Sequence, residues 1–319
     1  MTLRARFDVA MTVFTTSQLH SNGHNDRLIR SELLLGDLTR LRQGGYTSAR
    51  SSTPEGRHRL LLESTRERLG TSTVISHSSA ALLHGWPVPA SALSRVTGIR
   101  VRRTTGGGDA SSWLHTYSGS LRDDEIVAVD GFRVTSSSRT AADAARLLSR
   151  DDAVVMLDAA LHLSRAGENE PLRWAVTDQL VADRRKRGAA IARLALRLAS
   201  GLSESPAESL SRLAFHDHGI PDPVLQYSVI DQFGRVVAIT DFAWPEFGVV
   251  GEVDGRVKYE RLLRPGERAS DALVREKRRE NDIQALGWVV FRWFPDELTN
   301  PAVLCSRLRR LLERGARSV

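Results

Sequence analysis

The feature that most constrains the fold of this chain is the order of elements predicted from Ser205 onward. Ser205 is followed directly by proline, as expected where a helix starts. LQYSVID and RVVAITDFAWPE then read as strands around a turn at 232–234, and FGVVGEVDG is a third, short and apolar strand. A helix from about Asp271 to Leu286 and a last strand, WVVFRW, follow, with a terminal helix after them. The predicted order is αβββαβ, which describes an α+β domain.

Four carboxylates fall within that order. Glu208 lies on the first helix, Asp241 closes the second strand, and Glu252 and Asp254 are two apart on the third, so the last two point to one face. Several carboxylates at an otherwise apolar strand end are electrostatically costly, and Mg²⁺ offsets that cost because it binds carboxylate oxygens readily. A metal held there binds a phosphodiester oxygen and activates water. The alternative is a solvated strand end with ordinary ion pairs.

The charge of the chain differs between its two parts. Residues 1–199 carry 28 basic and 20 acidic side chains, whereas residues 200–319 carry 17 basic and 18 acidic ones. A basic front part suits a polyanion such as DNA, and a balanced, carboxylate-rich rear part suits a different task. A general preference for arginine over lysine explains the same skew, so charge alone does not identify DNA as the partner.

Composition excludes several classes of protein. An apolar fraction of 41% and a charged fraction of 26% are those of a globular chain rather than a disordered one. Cys305 is the only cysteine, which excludes a disulfide framework and a cysteine zinc site. No apolar run is long enough to cross a bilayer, and the start MTLRARFDVAMTVF lacks a signal-peptide core. We therefore expect a cytoplasmic protein without a membrane partner.

The first segment predicts a pair of short helices followed by a hairpin. A short helix, a turn at Asn22-Gly23 and a helix over 25–35 precede strands over 38–42 and 46–48. This layout is that of a small winged helix-turn-helix. Arginines on the second helix and on the hairpin are placed to reach DNA phosphates: Arg27, Arg30, Arg40 and Arg42. The alternative is a solvated helical hairpin that contacts proteins.

The middle of the chain predicts mixed helices and strands, followed by helices up to about residue 200. A helix over 56–69 precedes a second in SHSSAALLHGWPVP, and strands are predicted over 96–103 and 113–117. His77 and His84 share a face of the second helix, but no third ligand stands near them in sequence. We therefore interpret them as packing or capping residues rather than as a metal site.

The front half of the chain resembles a known family. VFTTSQL…LIRSELLLGDLTRLRQGGY, ISHSSAALLHGWPV and VTSSSRTAADAARLL…AVVMLDAAL are similar to AbiEi-type antitoxins or transcriptional regulators. The resemblance implies DNA binding by the winged helix, with the middle domain supporting it or contacting partners. The wing reads Arg-Gln-Gly-Gly-Tyr where the family more often has a valine before the tyrosine. Winged helices often act as dimers, so a homodimer is possible, although no heptad pattern identifies an interface.

Roughly residues 203–314 resemble the very-short-patch-repair-like branch of the PD-(D/E)XK nuclease superfamily. The motifs are SPAES-x-SR, ITDFAWPE, GEVDG, REKRREN and LGWVVFRW. The resemblance implies that Asp241 and Glu252 hold Mg²⁺ (or Mn²⁺), that Glu208 is an additional acid, and that Gln226 orients the substrate or a metal-bound water.

This chain departs from the name-giving motif at one position. The motif ends in lysine two residues after the acidic ligand, where this chain has Asp254. Lys258 supplies the missing ammonium if its loop folds back over the site. Lys277 and Arg279 on the following helix are further candidates for phosphate contact.

Taken together, the sequence predicts an α+β multidomain protein. The predicted domains are a winged helix over 1–54, an AbiEi-like middle domain over 55–202 and a nuclease-like domain over 203–319. The expected function is DNA binding combined with Mg²⁺-dependent endonuclease activity, because so many carboxylates are kept together. A regulator or antitoxin-like protein with an inactive nuclease fold is the alternative that Asp254 favours. A protein whose two halves both bind other proteins is a third possibility.

Overall fold

The computed structural model describes residues 12–69, 73–100, 112–164, 168–254 and 269–315. Within those ranges the chain is mixed α+β, with eleven helices and with twelve strands in three sheets. It forms two compact units: residues up to Met156 with Leu172–Arg193, and Leu157–Pro171 with Leu194 onward. None of the helices in these ranges has the length and apolar character needed to span a membrane.

The strands and most helices divide between the two units. The first unit holds β1 (Val13–Thr15), α1 (Thr16–Ser21), α2 (Asp26–Leu35), β2 (Thr39–Arg42), β3 (Gly45–Thr47), α3 (Pro54–Thr65), β4 (Thr73–Ile75), α4 (His77–Leu83), β5 (Val96–Arg100), β6 (Leu114–Ser118), β7 (Ile126–Val129), β8 (Phe132–Thr135) and α5 (Ser137–Ala145). The chain passes between units within α6 (Arg150–His162), α7 (Asn169–Ala182) and α8 (Ala189–Leu198). The second unit continues with α9 (Pro206–Asp217), β9 (Val224–Ile230), β10 (Val236–Trp244), β11 (Val249–Val253), α10 (Ala269–Ala285), β12 (Val289–Trp293) and α11 (Pro301–Gly315).

The first unit begins with a three-stranded antiparallel sheet in the order β1-β3-β2. Thr15 and Gln18 form a reciprocal capping box at the start of α1, and Asn25 caps α2. Gly36 ends α2 with φ 76°, a conformation that favours glycine. The hydrophobic core of this first segment consists of Phe14, Leu19, Ile29, Leu38 and Tyr46. The predicted helix pair and hairpin are confirmed as secondary structure.

A five-stranded sheet, ordered β6-β5-β4-β8-β7, completes the first unit. Ile75, Val96 and Val134 are buried in its core. Helix α5 packs its side chains almost completely inside, including charged ones: Arg139 Nε donates to Asp143 Oδ2 at 2.6 Å and Arg139 Nη1 to Glu125 Oε1 at 3.2 Å. Buried charges of this kind persist because each has partners.

The second unit has the predicted αβββαβ order. Its four-stranded sheet is ordered β12-β11-β10-β9, with β9, β10 and β11 antiparallel and β12 parallel to β11. The Ser205 hydroxyl accepts the Glu208 N–H and Pro206 occupies the first turn, which explains why α9 begins there. The helix predicted over 271–286 is α10, which begins at Ala269.

Two hydrophobic clusters pack against this sheet. One joins Phe242, Trp244 and Trp293 to Phe215 of α9 and Leu308 of α11. The other consists of Val229, Ala238, Ala243, Val250 and Ile283. Trp244 and Trp293 are 2% and 0% exposed, so both lie in the core of this unit.

A buried acid ties the beginning of the second unit to its first full helix. Asp158 on α6 accepts the backbone N–H of Ser200 at 2.6 Å and pairs with Arg212 of α9 at 2.8 Å. The Asp158 side chain is 1% exposed. The predicted boundary at residue 202 lies inside this unit.

Candidate functional site

The strand register of the second unit aligns several of the predicted site residues. Phe242 pairs with Gly251, which brings the preceding Asp241 beside Glu252 on β11. On the other side, Thr240 pairs with Tyr227 and Phe242 with Leu225, which brings Asp241 beside Gln226 on β9. Glu252 pairs in turn with Arg292 on β12. Four neighbouring strands therefore contribute one polar residue each at the same level of the sheet.

The strands β9 and β10 change face at this level. Leu225 packs against one hydrophobic cluster and Tyr227 against the other, although residues two apart on a regular strand share a face. On β10, Ala238 belongs to the second cluster and Phe242 to the first, although residues four apart on a regular strand also share a face. Gln226 has φ 49°, a left-handed conformation that is uncommon for a residue other than glycine. Because the backbone is irregular here, the side chains of Gln226 and Asp241 do not follow the regular alternation of faces along their strands.

Glu208 reaches this row from α9. Its side chain is 4% exposed, and its Oε1 and Oε2 accept the Ser205 hydroxyl and the Glu204 N–H, each at 2.8 Å. Gln226 Nε2 lies 3.5 Å from Glu208 Oε2. The predicted additional acid is therefore adjacent to the row of strand residues, through Gln226.

Two arginines hold the carboxylate of Glu252. Arg279 on α10 donates to Glu252 Oε1, and Arg292 Nη2 lies 2.9 Å from Oε2. Burial raises the pKa of the Glu252 carboxyl, and the positive charges of Arg279 and Arg292 oppose that rise. Asp241 is half-buried, and its Oδ2 accepts the Val253 N–H at 2.9 Å.

The same arginines contact further acids, so among the described residues these two arginines have more acidic partners than their own two charges balance. Arg292 Nη2 contacts Glu276 at 2.6 Å and Glu280 at 3.8 Å, and its Nη1 lies 3.4 Å from Asp254. Arg279 Nη1 also pairs with Glu276, at 2.9 Å. Burial disfavours the charged form of Arg292, but its hydrogen bond to Glu276 and the surrounding acids outweigh burial and raise its pKa. Two guanidinium groups thus face four carboxylates, with Asp241 as a fifth beside them.

The donor set of this row suits a hard cation. In the described ranges, no group of three or more His, Cys, Asp or Glu is arranged to hold a metal ion. Mg²⁺ needs fewer protein ligands, because it commonly binds through one or two carboxylates together with waters and substrate phosphates. Asp241 and Glu252 are two carboxylates on adjacent strands in a cluster of negative charge. A carboxylate offers about four lone pairs, so the arginine bonds of Glu252 leave acceptor capacity for a metal.

The cations predicted around the acids have different places. Lys258 lies outside the described residues. Lys277 is exposed on α10, whereas Arg279 is partly buried and bonded to acids and to the Ile239 carbonyl oxygen, at 3.1 Å. Arg279 therefore binds the carboxylate cluster directly. To contact phosphate as well, it must either bind phosphate while keeping these contacts or give some of them up.

Of the four arginines predicted to bind DNA, three are exposed and one is buried. Arg27 and Arg30 on α2 and Arg40 on β2 are exposed. Arg42 differs from the prediction: it is 5% exposed, and its guanidinium donates to the Ser64 carbonyl oxygen, with the Nε bond at 2.7 Å. The register of β2 shifts between Arg40 and Arg42, which turns Arg42 inward and explains the difference.

Sequence reasoning assigned no role to Arg292 or Glu276. Arg292 stands in the WVVFRW strand, where alternation places it on the face opposite the buried Phe291 and Trp293. Glu276 precedes Arg279 by three residues on a helix, the spacing of side chains that meet. The alternation along the strand and the three-residue spacing on the helix are the signals by which Arg292 and Glu276 were detectable.

Comparison with known proteins identifies relatives without an assigned function. No family model matches the chain. The chain is 32% identical over 250 residues to the uncharacterized protein MT2308 of Mycobacterium tuberculosis (strain CDC 1551 / Oshkosh), covering 77% of this chain and 84% of that protein. The uncharacterized protein Rv2248 of Mycobacterium tuberculosis (strain ATCC 25618 / H37Rv) matches with the same values.

Among solved structures, the crystal structure of the RV2827C protein from Mycobacterium tuberculosis matches with a TM-score of 0.38 and 16% identity. The match covers 70% of this chain and 85% of the RV2827C chain. A similarity at that level supports no conclusion about fold or function. The 32% identity over most of both chains shows that this chain belongs to the family of the uncharacterized mycobacterial proteins MT2308 and Rv2248.

Proposed function

We propose that this protein binds DNA through its first unit and hydrolyses DNA phosphodiester bonds at the carboxylate row of its second unit. The observation that carries the proposal is the alignment of Gln226, Asp241 and Glu252 on three adjacent strands, with Glu208 next to Gln226. Glu208, Asp241 and Glu252 come from separate parts of the sequence, and acids brought together in this way are candidates for a shared functional site.

Mg²⁺ or Mn²⁺ is the cofactor that this site fits, with Asp241 and Glu252 as its protein ligands. When bound, such an ion neutralises phosphate charge and lowers the pKa of its water. Arg279 and Arg292 fix the Glu252 carboxylate in one orientation through bonds to its two oxygens. Gln226 Nε2, at 3.5 Å from Glu208 Oε2, lies beside this site, where the amide donates to a phosphate oxygen or orients a water.

DNA reaches the protein, in this proposal, by a winged helix built from α1, α2 and the β2–β3 hairpin. Exposed arginines on α2 and on the hairpin, namely Arg27, Arg30 and Arg40, support phosphate contact on that side. Lys277, exposed on α10, supports a separate phosphate contact in the second unit. Such contacts bind DNA without selecting a sequence.

A second function is favoured by the arginine bonds of Glu252. Its Oε1 accepts a hydrogen bond from Arg279, its Oε2 forms an ion pair with Arg292, and Asp254, where the nuclease motif has lysine, also contacts Arg292. A fold whose acids are satisfied by arginines has less need of a metal. The second candidate is therefore a DNA-binding regulator in which the carboxylate row is structural.

Cleavage of plasmid and oligonucleotide DNA distinguishes the two candidates. The full chain is incubated with Mg²⁺ or Mn²⁺ alongside Asp241→Asn and Glu252→Gln, which preserve side-chain size. Glu246→Gln is the matched control, because Glu246 is an exposed acid of the same unit without a contact to this cluster. Binding of each variant to a fluorescent duplex is measured in EDTA, so that cleavage does not interfere.

The nuclease proposal predicts metal-dependent cleavage by the parent chain and by Glu246→Gln. Both site variants should lose about 100-fold or more of the cleavage rate, a loss typical of a key catalytic group, while DNA affinity stays unchanged. DNA binding without cleavage under either metal would contradict the nuclease activity and favour the regulator. Failure to bind any duplex would contradict both candidates.

A further inference from the structure

The first unit contains a cavity of about 400 Å³ that has no part in the proposed nuclease site. It lies between α4, the strands β5 and β6, and the end of α5. Its polar side is formed chiefly by His77, Arg95, His115 and Tyr117, and an apolar wall includes Leu147 and Leu148. A cavity of this size accommodates a small organic molecule.

His77 is held in this cavity at a conformational cost. It has φ 51°, in the left-handed region, although it is not glycine, and it is 4% exposed. Its ring stacks on Tyr117 with 3.9 Å between centroids, and Tyr117 meets His115 edge-on at 4.6 Å. Strained residues persist where the surrounding structure fixes them, and they concentrate at functional sites.

The hydrogen bonds of His77 fix which ring nitrogen carries the proton. Nδ1 lies 2.8 Å from the hydroxyl oxygen of Ser76, which is buried. Among the described residues, Nδ1 is the one hydrogen-bond partner of that hydroxyl. A buried hydroxyl left without an acceptor is costly, so Ser76 donates to Nδ1. The neutral imidazole then carries its hydrogen on Nε2, which is the nitrogen left for a ligand.

The charges around the cavity are complementary to an anion. Arg95 is an exposed lining residue, and none of the described residues that line the cavity is Asp or Glu. Asp143, whose charge acts on His77, is itself buried and has both oxygens bonded to Arg139 and Arg146 at 2.6 Å. The lining of the cavity thus combines hydrogen-bond donors and a cation with aliphatic side chains.

We propose that this cavity binds a small organic anion, in which a carboxylate or phosphate monoester group is attached to a compact apolar body. His77 Nε2 and Arg95 bind the anionic group, and the wall that includes Leu147 and Leu148 contacts the apolar body. This site is independent of DNA hydrolysis, so binding at it is measured without reference to cleavage.

Calorimetric titration of the full chain with three aromatic probes tests the proposal. Phenyl phosphate and benzoate represent the two anionic groups, and benzamide is a neutral probe of similar shape. Arg95→Gln removes the charge at an exposed position, and Arg184→Gln removes an exposed arginine elsewhere in the same unit as a control. His77→Asn removes the ring while keeping a residue that tolerates left-handed φ.

At least one of the anions should bind with one molecule per chain, and benzamide should bind at least about tenfold more weakly. Arg95→Gln and His77→Asn should each weaken binding of that anion about tenfold or more, and Arg184→Gln should leave it unchanged. Which anion binds more tightly distinguishes a carboxylate from a phosphate ligand. The proposal is overturned if neither anion binds at millimolar concentration, if benzamide binds equally well, or if Arg95→Gln behaves like Arg184→Gln.

Discussion

Glu252 and Arg292 lie side by side on the parallel strands β11 and β12, with Arg292 Nη2 2.9 Å from Glu252 Oε2. Because Arg292 also contacts Asp254, Glu276 and Glu280, its removal leaves several acids close together without their shared cation. Arg292→Met should lower the free energy of unfolding by about 3 kcal/mol, the lower end of the range for breaking a buried pair, because Arg292 is only partly buried.

Urea unfolding of Arg292→Met checks this, with Arg307→Met as the control. Arg307 forms an exposed ion pair with Glu297 and lies over the Phe291 ring, with its Cζ 5.3 Å from the ring centroid, so its loss should cost about 1 kcal/mol. Arg292→Lys should restore part of the loss, because an ammonium group lacks the planar fork that reaches several carboxylates. Equal effects of the Arg292 and Arg307 substitutions would contradict this account.

Acid should destabilise the first unit through His77. Burial lowers the pKa of His77 to about 4, while an unfolded histidine has a pKa of about 6.5. Between these values the unfolded chain binds the proton and the folded chain does not, so stability is full above pH 6.5 and falls as the pH drops towards 4. The loss from this one group should be about 2 kcal/mol between pH 7.5 and pH 5.

Urea unfolding at those two pH values measures the effect. Burial also lowers the pKa of His58 and of His84, so both contribute with the same sign. The difference between the parent chain and His77→Asn isolates the share of His77. If the variant loses as much stability on acidification as the parent does, His77 is not the group responsible.

The ion pairs of α5 should matter far more than those at the surface. Asp143→Asn leaves the buried Arg139 with Glu125 as its one acidic partner among the described residues and deprives Arg146 of a 2.6 Å partner. Uncompensated buried charge costs about 3–5 kcal/mol. Asp124→Asn, which breaks an exposed pair with Arg122, should have a much smaller effect. Thermal unfolding of the two variants compares them directly, and a ranking in the reverse order would be inconsistent with this packing.

Arg40 and Arg42 should respond differently to the same substitution. Arg40→Gln should weaken duplex binding and reduce the slope of log affinity against log salt by about 1, as expected for one lost phosphate contact. Arg42→Gln should leave that slope unchanged and lower stability by about 1–3 kcal/mol, because the Ser64 carbonyl oxygen loses its buried donor. Fluorescence anisotropy at several salt concentrations, with unfolding curves for both variants, separates the two effects.

Secondary structure was predictable where capping and periodicity agreed. Ser205 followed by proline marked the start of α9, and the alternating apolar residues of β9, β10 and β12 marked those strands. The strand β1 was missed, because three residues are too few to display a period. Arg42 was expected to reach DNA together with Arg40. Residues 40 and 42 share a face in a regular strand, but the register shifts between them in β2.

The candidate site was predictable in its residues but not in its electrostatics. Glu208, Gln226, Asp241 and Glu252 were chosen from motifs, and the strand register does align three of them. That Glu252 is bonded to Arg279 and Arg292 depends on how α10 and β12 pack, which no local pattern specifies. The left-handed conformation of Gln226 was likewise invisible, because glutamine has no preference for it.

The buried pair of Asp158 and Arg212 limits how the second unit can be transferred to another protein by recombination. The four-stranded sheet and its flanking helices begin near residue 203, but Asp158 lies on α6, well before them in the sequence. A gene fragment that started at the sheet would encode Arg212 without its counter-charge. Recombination that transfers the sheet to another protein must therefore carry the α6 segment with it, or find a replacement acid in the new host.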